Sequence, residues 1–257
     1  MSNKDPILEL RGVSKSFGAV QALYQVDFHV APGQVMALVG DNGAGKSTLI
    51  KCIAGIHPID GGEIRFEGTP VTIHGPKDAA DLGIEVVYQD LALCDNLDVV
   101  QNMYLGRELV DGVRKLDETA MEARAQETLR SLSVTTLRNV RQTVAGLSGG
   151  QRQSVAVAKA VMWNSKVVIL DEPTAALGVA QTRQVLDLVK RLGEQGLAVI
   201  LISHNLHDIF EVADSITVLR LGQNVAEYKR TETNQQQVVE AITAGKLSKV
   251  PGQEALA

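Results

Sequence analysis

A chain of 257 residues, 45% hydrophobic and 21% charged, is long enough to bury a sizeable core without cross-links. Its net charge of −5 argues against a general nucleic-acid surface, so DNA and RNA are excluded as expected partners. The opening MSNKDPILEL lacks the apolar stretch of a secretory signal, and the longest apolar run, Leu197 to Ile202, is far short of a bilayer span, so the chain is expected neither to leave the cell nor to cross a membrane.

Short β-branched runs at Ile7–Leu10, Val26–Val30, Val35–Val39 and Glu63–Phe66, punctuated by PG and DGG turns, predict a β-rich first third. Cys52 and Cys94 stand in apolar surroundings without CxxC or Cys/His spacing and read as small buried thiols. Between about Asn96 and Trp163 strand signals vanish, and Met121, Ala125, Leu129 and Leu132 recur at helical spacing, which predicts an inserted helical subdomain. From Lys166 strand runs return at Val167–Leu170, Ala198–Ile202 and Ile216–Leu219, separated by helical segments near Gln181–Leu192 and Leu206–Val212. That alternation predicts a mainly parallel sheet, and only the stretch from about Ser248 reads as a loose tail.

After the apolar run Val35–Val39 come Gly40, Asp41, Asn42, Gly43, Ala44, Gly45, Lys46, Ser47 and Thr48, the pattern GxxxxGK[ST] between a strand and a helical stretch that ends near Gly55. Such a loop turns consecutive backbone N–H groups around a phosphate; Lys46 adds charge and the Ser47 hydroxyl suits Mg²⁺. Farther on, Leu147-Ser148-Gly149-Gly150-Gln151 precedes a helical run, so that Ser148 and two glycine amides form a second anion site. Four apolar residues, Val167 to Leu170, then lead into Asp171 and Glu172: an acid at a buried strand end holds a metal, and an adjacent acid polarises an attacking water. Asp171 is the expected metal group and Glu172 the expected base. The phosphate loop and the acidic strand end together indicate nucleoside triphosphate hydrolysis.

The pentapeptide LSGGQ at 147–151, placed between the phosphate loop and the acidic strand, resembles the signature motif of ABC ATPases, and the resemblance extends from about Ile7 to Ala244. It implies a P-loop, RecA-like α/β core with an N-terminal antiparallel β subdomain and an inserted α-helical subdomain. The expected organisation is one domain over 1–247, its core and β subdomain at about 1–90 and 164–230 and its helical subdomain at about 91–163, followed by a tail at 248–257. Three further residues gain roles from the resemblance: Phe17 matches the aromatic that stacks on adenine, Gln89 the glutamine that touches Mg²⁺, and His204 the switch histidine that reaches the γ-phosphate. A core position for Phe17 remains an equal reading of the sequence alone.

The resemblance implies ATP and Mg²⁺, with Lys46, Glu172 and His204 catalytic; Ser47, Gln89 and Asp171 on the metal; and the residues of 40–48 and 148–151, with Phe17 and Gln89, around nucleotide. It further implies a head-to-tail dimer with a second copy, separate transmembrane permease subunits, an extracytoplasmic binding protein as indirect partner, and a peripheral place on the cytoplasmic face of the cell membrane. Leu91, Leu93 and Leu97 read either as an exposed permease-docking run or as buried packing. One departure stands out: the family usually shows SALD after Glu172-Pro173-Thr174, whereas here Ala175-Ala176-Leu177-Gly178 lacks the aspartate, which puts the usual cross-subunit contact in doubt. This variant looks like the ATP-binding proteins of bacterial monosaccharide importers. The competing expectation is a soluble ABC ATPase with a role other than transport.

Overall fold

The structure, a computed structural model, describes residues 5–112 and 115–245. An antiparallel sheet is built from β1 (Leu8–Phe17), β2 (Val20–Val30), β4 (Gly61–Phe66) and β5 (Thr69–Val71), in the order β2-β1-β4-β5. A second sheet joins β3 (Val35–Val39), β6 (Ile84–Val87), β7 (Val167–Asp171), β8 (Ala198–Ile202), β9 (Ser215–Arg220) and β10 (Gln223–Lys229), in the order β10-β9-β3-β8-β7-β6. Its strands run parallel except β10, which pairs antiparallel with β9 at the edge.

The central strands of this second sheet are apolar throughout because both of its faces are covered. Along β3, β7 and β8 the side chains alternate between two cores: Ala37, Val39, Val168, Leu170, Val199 and Leu201 enter one, and Met36, Leu38, Val167, Ile169, Ala198 and Ile200 the other. The first core is shared with α3 (Val99–Tyr104), α4 (Glu118–Ser131), α5 (Gly149–Val161) and α6 (Val179–Glu194). The second is shared with α1 (Lys46–Ile53) and with the inward residues of the antiparallel sheet, Leu8, Leu10 and Phe28 among them. Each fully buried Leu or Ile contributes about 1.5–3 kcal/mol, so the two cores anchor the strand ends firmly.

The remaining helices, α2 (Pro76–Asp81), α7 (Leu206–Val212) and α8 (Gln235–Ala244), are short connectors and a terminal cap. Between Asn96 and Trp163, among the described residues, the only strand-like pairings are the isolated bridges Asp98 to Thr143 and Val110 to Leu116. Both cysteines are free; Cys52 is buried while Cys94 is half-buried. Desolvation pushes the Cys52 thiol up to about 11. The expected loose tail from Ser248 lies outside the described residues.

Leu91, Leu93 and Leu97 do not form an exposed run. Each is half-buried, and Leu91 and Leu93 pack against the first core. Leu91 and Ala92 take left-handed backbone (φ 59 and 45), and this tight turn folds the apolar side chains inward.

Candidate nucleotide-hydrolysis site

Register decides where the site lies. Leu38 pairs with Ile202, Asp171 with Ile202, and Val87 with Leu170, so the parallel strands β3, β8, β7 and β6 end level with one another. The loops that follow them carry Gly40, His204, Glu172 and Gln89 respectively, all at the carboxyl edge of the sheet, where open α/β sheets bind ligands.

The loop between β3 and α1 depends on its glycines. Gly45 caps α1 at φ 101, and a Cβ there would stand 2.8 Å from the Ala22 carbonyl oxygen and 2.9 Å from Leu23 Cδ2. Gly40, at φ 154, lies so close to the Leu219 carbonyl that no side chain fits. No side chain caps α1 and no acid sits in its first turn, so its leading amides are left for an anion. Lys46 Nζ donates to the carbonyl oxygens of Gly40 at 2.7 Å and Asp41 at 3.0 Å, folding the cation over the loop. Burial pulls its ammonium below the usual lysine range, against the opposing pull of Glu172, Asp171 and Asp41.

The acids stand beside this cation. Burial first, and the neighbouring Glu172 second, push the Asp171 carboxyl above the usual carboxylate range. Glu172 sits at φ 50, a strained backbone for a glutamate, held there as its N–H donates to the Ile202 carbonyl at 2.9 Å. Its Oε2 meets His204 Nδ1 at 2.8 Å; the glutamate side chain is 17% exposed and the histidine 80%. Gln89 and Asp171, with Tyr88 and Asp90, line one cavity of about 430 Å³. The oxygen donors of Ser47, Gln89 and Asp171 suit Mg²⁺, a hard cation that takes few protein ligands beside nucleotide phosphates. Among the described residues no cluster of three or more His, Cys, Asp or Glu side chains is poised to cage a metal.

Phe17 is no core residue: it is 44% exposed. His57 stacks edge-on against it, the centroids 5.0 Å apart, and Lys15 Nζ lies 5.5 Å from the ring centre while pairing with Asp60 at 2.7 Å. His57 has no motif around it, and only the folding of the segment after α1 onto the end of β1 brings it there.

At the second anion motif, Ser148 caps α5. Its Oγ accepts from the Gln151 N–H at 3.3 Å, and Gln151 Oε1 accepts from the Ser148 N–H at 2.9 Å. Ser148 and Gln151 thus form a capping box, legible in the S-x-x-Q spacing. The first-turn amide of Gln151 is held by this cap, and Gly149 and Gly150 present the rest of the turn.

A parallel sheet with a glycine loop capping α1 and two acids at the end of β7 has the fold and site arrangement of a P-loop nucleoside triphosphatase. The ABC transporter family model matches residues 23–175. A fructose import ATP-binding protein of Rhizobium meliloti is 46% identical over 260 residues, with 99% of each chain covered. A xylose/arabinose import ATP-binding protein of Sulfolobus acidocaldarius is 46% identical over 244 residues, covering 95% of this chain and 96% of that one. Among solved structures, the dimeric post-hydrolysis state of the ATP-binding cassette MJ0796 bound to ADP and Pi superimposes with a TM-score of 0.71 at 25% identity, over 87% of this chain and 98% of that one. The chain belongs to the ABC transporter family.

Proposed function

We propose that this chain is the ATP-hydrolysing subunit of an ABC importer for a monosaccharide, working as a dimer beneath separate permease subunits on the cytoplasmic face of the membrane. The observation that carries the hydrolytic part is the contact of Glu172 with His204, beside Asp171 and the glycine loop. The amides of α1 and Lys46 hold the β- and γ-phosphates. Glu172 accepts a proton from the attacking water, and His204, released from the glutamate, turns its imidazole to the γ-phosphate. Ser47, Gln89 and Asp171 would hold Mg²⁺, which would supply neutralisation of phosphate charge. Phe17, 44% exposed, offers its ring to the adenine. Ser148, Gly149 and Gly150 offer their anion site to the nucleotide of the partner, which is why two copies are needed.

The import names of the relatives favour transport over a soluble role, and they supply the sugar. Among the described residues no helix is long and apolar enough to cross a membrane. A cleft of about 910 Å³ lies between the core, at Lys77 and Gly83, and the helical insert, at Arg107 and Trp163. Trp163 is braced there by Arg107 and Arg124, each 5.2 Å from its ring. A permease segment seated in this cleft touches both bodies at once and feels their relative movement.

Glu172→Gln tests the reading. Turnover should fall by about 10²–10⁴-fold, the usual worth of a general base, while an ATP-bound dimer accumulates in size-exclusion chromatography. An active, monomeric variant would remove Glu172 from its role.

A further inference from the structure

Phe17 is the last residue of β1, and Gly18, at φ 58, turns the chain straight back toward β2. A ring 44% exposed at such a tip is free to turn unless its neighbours fix it, and a ring that must be ordered when a ligand arrives costs affinity. The contacts that restrain it lead to the segment 57–60, just past the end of α1. His57 packs on the ring with centroids 5.0 Å apart and planes at 75°, a favourable edge-on pair. Lys15 Nζ, 5.5 Å from the ring centre, is held in turn by Asp60 Oδ1 at 2.7 Å.

This segment is itself firmly placed. Gly55, at φ 72, reverses the chain after α1, against the Gly75 carbonyl, where no side chain fits. The N–H groups of Ile56 and His57 both donate to the Lys51 carbonyl in the last turn of α1, at 2.8 and 3.1 Å. On the other side Asp60 Oδ2 accepts from the Ser16 N–H at 2.7 Å, and the Asp60 N–H donates to the Ser14 carbonyl at 2.9 Å. His57 is thus carried at the C-terminal end of the helix whose first turn faces the phosphate loop, and its ring reaches the tip of another sheet.

We propose that His57 is a positioning residue for base recognition: it sets the plane of the Phe17 ring and ties that platform to the helix that begins at Lys46. Base and phosphate subsites are then held at a fixed separation by one short helix, and the nucleotide meets both already in place. This rests on the adenine role proposed above for Phe17. The agent is the aromatic ring of His57, acting only through Phe17.

The test is ATP binding by isothermal titration calorimetry on the full chain, at concentrations too low for dimers, in a double-mutant cycle. Phe17→Ala should weaken ATP by at least about fivefold, the worth of a lost aromatic platform under a base. His57→Ala should weaken it by about two- to tenfold, the worth of an edge-on aromatic pair. In the Phe17→Ala background, His57→Ala should change nothing further, because it acts through the missing ring. His57→Phe, which keeps an aromatic ring, should retain affinity, and His57→Asn, polar but without one, should behave as His57→Ala does. Full ATP affinity in His57→Ala overturns the inference. So does an additive loss in the double variant, which would place the defect in the phosphate loop, and so does rescue by Asn in place of Phe. A Phe17→Ala chain that binds ATP as the wild type does would instead sink the adenine role of Phe17, a result read without any His57 variant.

Discussion

Asp171 shows how a single residue trades stability for chemistry. Its carboxyl is held above the usual carboxylate range by burial and by Glu172. The sign follows: the protonated form is the one the fold favours, so this group's stabilisation is present at low pH and is lost as pH rises through its folded-state pKa. Burial thus opposes the charged form of Asp171 in the nucleotide-free protein, a cost that its proposed metal role would account for. Asp171→Asn should therefore raise the melting temperature at pH 7, with the gap to wild type closing as pH is lowered, while Mg²⁺-dependent hydrolysis falls at least about 100-fold. Scanning calorimetry over pH and a steady-state assay measure the two; an unchanged melting temperature would remove the burial argument. Residues of this kind were legible in the sequence because their physics is local: Gly40 to Thr48 and Asp171-Glu172 announce themselves by neighbours in the chain. His57 against Phe17 was not, because that contact arises only when separate elements pack.

Three helices start in three different ways, and the differences follow their tasks. The N-terminus of α1 has no side-chain cap, which leaves it open for the proposed phosphate; that of α5 is capped by Ser148 and Gln151, and that of α6 begins at Gly178 with only the Gln181 carboxamide on its amide. Gly178 has φ −74 and ψ 161, a conformation any residue adopts, and open space around its Cα. Gly178→Asp should then stabilise the protein by about 0.5–1 kcal/mol, through a side-chain cap, a negative charge at the helix start and a less flexible unfolded chain. Urea or thermal melts will show it; a loss of stability would mean that α6 does not begin here. Elements were readable where burial is complete. The runs that became β3, β7 and β8 are continuous in apolar residues because both faces are covered, whereas β10, with the polar pattern QNVAEYK, is an edge strand whose partner is supplied by a turn. β1 and β2 extend well past the apolar runs that signalled them, since their outer residues pair in a ladder without needing hydrophobicity. Leu91, Leu93 and Leu97 remained ambiguous because apolar content alone does not say which way a turn folds.

At the scale of the molecule, the surfaces that would meet nucleotide are open in a single chain. The Phe17 ring is 44% exposed, His204 80%, and Val179, next to Gly178, 84%. Phosphoryl transfer gains from excluding bulk water and from donors that converge on the γ-phosphate, and a second chain contributing Ser148, Gly149 and Gly150 supplies both. In the two-fold dimer proposed above, each chain offers what the other lacks and two sites close together, so that on this reading no site is finished in a monomer. Hydrolysis per chain must then follow the fraction of chains that are paired. Well below the dimer dissociation constant that fraction grows in proportion to protein concentration, and specific activity should rise about tenfold for each tenfold increase before reaching a plateau. The measurement is steady-state hydrolysis at saturating ATP and Mg²⁺ across a dilution series, with sedimentation velocity reporting the dimer in the same samples. A rise that tracks the dimer means that the second copy completes the chemistry, and the permease then acts by setting how often two cassettes meet. A flat line from monomers means that one chain finishes its own site, and the anion site at the start of α5 must serve some other ligand.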